Sequence, residues 1–182
     1  RIMASNSQVV RYDNESKNDI SLKSEQKLLE KFSQQFEQKL FITNLSSDAF
    51  EYSAALHSYF SVSAPENTKV SPLEEFSFDD KVTGKKGQLS ALDNCVGELD
   101  RIYDCDQDCL IVDEQWQRTI KVSSSNCQQW VLWNPGAELA GNMKDLYQGA
   151  EKGFVCLEAA NTQVHIVKAN ETAMIAQKVS IE

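Results

Sequence analysis

Alternation of apolar and polar positions dominates this chain, and most of it spells strands. "QKLFITN" leads into the turn signal "SSD", and "AFEYSAALHSYFSVS" follows as one long strand or a strand pair. "CLIVD" and "RTIKVS" read as a hairpin joined through "EQWQ", and "QQWVLWNPG" as a strand stopped by Asn134, Pro135 and Gly136. "GFVCLEA", "TQVHIVK" and "TAMIAQKVSIE" predict three more strands. In the last, Ile175, Gln177, Val179 and Ile181 form the apolar-rich face, against the more polar Met174, Ala176, Lys178 and Ser180. One segment breaks the pattern. In "SEQKLLEKFSQQF", Leu28, Leu29, Phe32 and Phe36 recur at helical spacing behind Ser24 as a cap, which predicts a helix over Ser24–Phe36. Many short strands between turns indicate an all-β sandwich or barrel rather than a βαβ fold.

Composition fits that picture. The 182 residues are 41% hydrophobic and 25% charged, with only 7 Gly and 3 Pro, and no linker or repeat divides them, so a single domain over 1–182 is expected. No run approaches the roughly 20 apolar residues of a membrane span. The start, "RIMASNSQVVR", lacks the pattern of a secretory signal and opens on Arg1 as if continuing something longer. A net charge of -9 argues against nucleic acid or an anionic membrane as partner. An anionic small molecule would need a local cluster of Arg or Lys.

Candidate chemistry is sparse. The five cysteines, Cys95, Cys105, Cys109, Cys127 and Cys156, include two in "DCDQDC", where the acids invite a metal. With no Cys-x-x-Cys pair, no nearby His and no calcium-loop Gly, a polar turn with reduced thiols is the favoured reading, and reduced thiols suit the cytoplasm. The sequons at Asn14, Asn44 and Asn170 mean little without a secretion signal. His57 lies in an apolar, aromatic stretch. Its imidazole can exchange a proton at working pH, although a lone His there is more often a hydrogen-bonded core residue. His165 reads as structural or surface. Glu158, after Phe154–Leu157, is either the first polar residue as a strand emerges or a partly buried acid suited to proton transfer. Asp100 and Arg101 are adjacent in a strand, so they point to opposite faces and cannot serve as a simple pair. Trp116, Trp130 and Trp133 suit either sugar stacking or core packing.

In order, "AALHSYFSVS", "GELDRIYD", "QWVLWNPGAELAGNMKDL" and "GFVCLEAAN" are more specific than any one of them. Together they resemble the hexose-6-phosphate mutarotase, or glucose-6-phosphate 1-epimerase, family of the galactose mutarotase-like superfamily. The strongest matches are Ala55-Leu56-His57 with Tyr59-Phe60, Asp100-Arg101 with Tyr103, Trp133-Asn134-Pro135, and Cys156 to Glu158. The similarity runs from about Phe36 to the end of the chain.

The resemblance implies a large antiparallel β-sandwich with a sugar-phosphate site in a cleft on one sheet. It implies an isomerase that interconverts α and β anomers, with His57 as general acid, Glu158 as general base and Asp100 binding sugar hydroxyls. Arg1 would be a further substrate-binding residue, as the last residue of an "HGFAR"-like motif. Ring opening by proton transfer calls for no metal or organic cofactor, and a monomeric cytoplasmic protein is implied. The family's N-terminal portion has no counterpart in this chain, and the expected helix falls where the family has strands. A non-catalytic sugar-phosphate-binding or regulatory relative is therefore the alternative.

Overall fold

The computed structural model describes residues 8–11, 20–27 and 35–182, with side chains described from Gln35 onward. The strands among these residues are β1 (Gln8–Arg11), β2 (Ile20–Lys27), β3 (Gln35–Asn44), β4 (Phe50–Leu56), β5 (Tyr59–Ser61), β6 (Thr68–Ser71) and β7 (Phe78–Asp80). They continue with β8 (Glu98–Tyr103), β9 (Cys109–Asp113), β10 (Arg118–Ser125), β11 (Gln129–Pro135), β12 (Phe154–Val167) and β13 (Thr172–Ile181). One short α-helix, α1 (Gly136–Asn142), follows β11.

Two sheets result. The first runs β1-β4-β12-β11-β8-β7, with β5 also on β12, and the second runs β2-β3-β13-β10-β9-β6. Every strand pairing is antiparallel. Alternate residues of the two sheets fill a common core: Leu56, Leu132, Leu157 and Trp130 come from the first, and Leu40, Ile111, Val122 and Ile175 from the second. This is the antiparallel β-sandwich expected from the sequence.

Two expectations need correction. The helix over Ser24–Phe36 does not form at its ends. Ser24–Lys27 belong to β2 and Gln35–Phe36 to β3, and Ser24 pairs with Leu40 while Lys27 pairs with Glu37; residues 28–34 lie outside the described residues. Local spacing carried a helical signal, but cross-strand pairing with residues ten or more positions away decided the backbone. "GFVCLEA" and "TQVHIVK" are one strand, β12, with an irregularity between Asn161 and His165 where its register against β4 shifts. "AFEYSAALHSYFSVS" does divide into a pair, β4 and β5, and the break falls at His57–Ser58.

The first sheet has a second apolar layer on its outer face. Phe154, Cys156 and Ala150 are buried there against Tyr59, Trp133 and Leu146. This covering accounts for the burial of Phe154 and Cys156 on the outer face of β12, where a half-exposed strand would carry exposed residues.

Candidate active site

Register fixes the site. Leu56 pairs with Ala159 and Tyr59 with Cys156, so the pairing crosses the β4–β5 break without slipping and sets His57 opposite Glu158. Glu158 in turn faces Val131, and Val131 faces Ile102. One row across the sheet is therefore Ile102, Val131, Glu158, His57. The next row, two residues along, is Asp100, Trp133, Cys156, Tyr59. Strands repeat at about 4.8 Å and residues at about 3.4 Å, which puts the Cα atoms of Asp100 and Glu158 roughly 12 Å apart on the same face.

A cleft of about 500 Å³ lies over these rows, and its lining includes His57, Glu158, Asp100, Trp133 and Lys81. Such a volume falls within the range of about 300–1,000 Å³ common for small-molecule sites. Ser53 and Ala55 of β4 also line it, and their small side chains keep the space open.

His57 Nδ1 is 2.8 Å from Glu158 Oε1. The oxygen lies off the axis of the ring N–H, so the contact is a close electrostatic approach rather than an aligned hydrogen bond. With Nδ1 turned to the carboxylate, Nε2 is the ring nitrogen available to a ligand. Tyr59 stacks on the imidazole with centroids 4.8 Å apart, and Trp133 meets it edge-on at 5.5 Å. These rings hold the imidazole plane while leaving its side chain 18% exposed, enough to meet a substrate.

The surroundings are tuned by burial. The Tyr59 phenol is pushed up to about 12, mainly by burial and further by Cys156, Asp145 and Glu158, so it remains a neutral wall. Cys156 is fully buried and its thiol is raised well above its ordinary value by burial and by Glu158, which makes it inert packing. Asp100 is raised by burial first and by Glu158 second, and Lys81 acts in the opposite sense. Lys81 is also tied to it through the backbone, its N–H donating to the Asp100 carbonyl at 2.7 Å.

Of the residues singled out in the sequence, His57, Glu158 and Asp100 come together in one cleft. Glu158 is mid-strand and 8% exposed, so it is not a residue emerging into solvent. Arg101 takes the opposite face, as adjacency required, over the Phe78 ring at 4.2 Å and 3.5 Å from Asp80. His165 is partly exposed beside the Tyr52 ring. Trp133 lines the cleft, whereas Trp130 is fully buried and donates its indole N–H to the Gln107 carbonyl at 2.8 Å, and Trp116 is exposed against Arg118. Arg1 lies outside the described residues.

The acidic turn gathers no metal set: among the described residues no group of three or more His, Cys, Asp or Glu could hold an ion. Cys105 and Cys109 sulfurs both approach the Gln107 carbonyl, and all five cysteines are free. Sequence reading missed Lys81. It follows the short edge strand β7, where no periodic pattern marks it, and only register with β8 reveals its place beside Asp100.

Two packed antiparallel sheets in this strand order form the β-sandwich of galactose mutarotase-like proteins. Similar solved structures include a Synechocystis sp. PCC 6803 protein, with a TM-score of 0.72 over 100% of this chain and 64% of that one at 17% identity. Another is a Salmonella typhimurium protein described as a "putative mutarotase", with a TM-score of 0.66 over 98% of this chain and 64% of that one at 24% identity. These establish the fold.

The family model for aldose 1-epimerase matches residues 20–179, and the chain belongs to the aldose 1-epimerase family. Its relatives include an Escherichia coli K12 protein named "Putative glucose-6-phosphate 1-epimerase", 33% identical over 75% of this chain and 47% of that protein. A Salmonella typhimurium LT2 protein of the same name is 35% identical over 60% of this chain and 38% of that protein. The chain thus spans less than half the length of these two relatives.

Proposed function

We propose that the protein is an isomerase that interconverts the α and β anomers of a hexose 6-phosphate. The observation that carries this reading is the cross-strand pair His57–Glu158 in a cleft, with Asp100 two strands away. Anomer exchange removes the proton from the C1 hydroxyl while a proton is delivered to the ring oxygen. The C1–O5 bond breaks, the resulting aldehyde turns about C1–C2, and the ring recloses with the proton transfers reversed.

Glu158 serves as the base at the C1 hydroxyl and His57 Nε2 as the acid at O5. In the reacting complex the C1 hydroxyl faces Glu158 and O5 faces His57 Nε2. Asp100 receives hydrogen bonds from the sugar hydroxyls and fixes the ring for both transfers. Trp133 supplies an apolar face for the sugar. Lys81 is an exposed cation on the cleft wall and is suited to the phosphate. Its charge supplies locally what the acidic chain as a whole does not. The free thiols agree with a reducing compartment such as the cytoplasm.

Exchange spectroscopy by NMR between the two anomers of glucose 6-phosphate tests the reading. Exchange faster than in protein-free buffer, and faster for the phosphate ester than for glucose, is the expected result. A rate equal to buffer for both sugars contradicts it.

A further inference from the structure

Gln177 is the one polar residue on the inward face of β13, between Ile175 and Val179, and it is 2% exposed. A primary amide in such a core is costly unless its groups are bonded. Both are bonded, and to the opposite sheet. Oε1 accepts from Ser58 Oγ at 2.5 Å, and Nε2 donates to the Leu157 carbonyl at 3.0 Å.

The partners explain the choice of residue. Ser58 follows His57, and Leu157 precedes Glu158. The two are themselves joined, since Leu157 N–H donates to the Ser58 carbonyl at 3.2 Å. Ser58 also sits in the break between β4 and β5, where the strand carrying His57 is interrupted. The amide therefore closes a ring of hydrogen bonds behind the acid–base pair, at the point where the sheet alone holds it least.

We propose that Gln177 is a positioning residue: reaching from the second sheet through the core, it sets the backbone of Ser58 and Leu157 and thereby the spacing and angle between His57 and Glu158. It touches no substrate. A leucine or methionine would fill the same volume, so packing does not require the amide. The catalytic consequence rests on the reading above, but the geometric one does not.

The chain has only two histidines, His57 and His165, so the imidazole carbon–proton correlations of labelled protein give two cross-peaks, with His165 as internal reference. The His57 peak position at one fixed pH reports its setting against the Glu158 carboxylate and the Tyr59 ring, with the other charged cleft residues, Asp100 and Lys81, unchanged. In Gln177→Met we expect the His57 peak to move at that pH and the His165 peak to stay. Ser58→Ala, which removes only the hydroxyl, should move the same peak in the same way, and the double variant should add little. Anomer exchange in either variant should lose about tenfold in kcat with KM within twofold.

A His57 peak that superimposes on wild type in folded Gln177→Met overturns the proposal. Should Gln177→Met fail to fold, an unmoved His57 peak in Ser58→Ala overturns it equally. Wild-type protein without anomer exchange would instead refute the proposed function and leave the histidine test standing.

Discussion

Asp113, the last residue of β9, accepts two hydrogen bonds from Ser63, one from the backbone N–H and one from the hydroxyl, both at 2.6 Å. The same carboxylate accepts from Trp116 N–H at 3.1 Å and lies 4.0 Å from Arg118. It thereby ties the segment after β5 in the first sheet to the β9–β10 hairpin in the second.

Burial alone would raise the Asp113 carboxyl, but the Ser63 and Trp116 hydrogen bonds and Arg118 outweigh it and hold it below the ordinary carboxylate range. A lowered folded value means stability that is present above the unfolded value and lost as pH falls through the folded one. Asp113→Ala should cost about 2–4 kcal/mol at pH 7, because buried donors lose their acceptor. Denaturant unfolding at pH 7 and again near pH 3 checks this, and the gap between variant and wild type should narrow at the lower pH.

Gly136 starts α1 with φ of +63°, and a Cβ there would lie 2.8 Å from the Glu98 backbone nitrogen. Glu98 begins β8, two residues before Asp100, so the clash cannot be relieved by a flexible side chain. Gly136→Ala should cost about 1–3 kcal/mol. In a chain of this size that lowers the thermal midpoint by about 2–4 °C per kcal/mol, which calorimetry can read.

Asp100 behaves in the opposite sense to Asp113. Burial and Glu158 raise it, so its charge costs stability above its folded value, and that cost disappears as pH falls below the unfolded one. Asp100→Asn should therefore raise the thermal midpoint at pH 7 and leave it unchanged near pH 3. The same variant should raise KM for the sugar. Greater stability with weaker binding would mark a carboxylate retained for substrate.

Lys81 is exposed, so its substitution should leave folding intact. Lys81→Gln should raise KM for the phosphorylated sugar about tenfold, equivalent to about 1.4 kcal/mol, without changing that for glucose. Added salt should shrink the difference by screening the wild-type interaction.

The strands with strong local signals were legible in the sequence. "CLIVD" and "RTIKVS" carry β-branched residues in alternation around a polar turn, and they became β9 and β10 in the expected hairpin. The two ends of segment 24–36, Ser24–Lys27 and Gln35–Phe36, were misread because Leu28, Leu29, Phe32 and Phe36 recur at helical spacing in the sequence, and pairing between β2 and β3 is invisible to such spacing. No local pattern could join His57 to Glu158, which are distant in sequence and meet only through the shared register on β12. Ordered motifs made that connection available by resemblance. Gln177 did leave a mark, a polar residue on the apolar-rich face of its strand, but its partners belong to the other sheet.

In the proposed reaction His57 and Glu158 exchange protons with a sugar. Anomer exchange of glucose 6-phosphate measured by NMR with wild type, His57→Ala and Glu158→Gln tests it most directly. Loss of either group should slow the protein-dependent rate by about 10²–10⁴-fold while the folded state persists. Rates equal to wild type in both variants would contradict it.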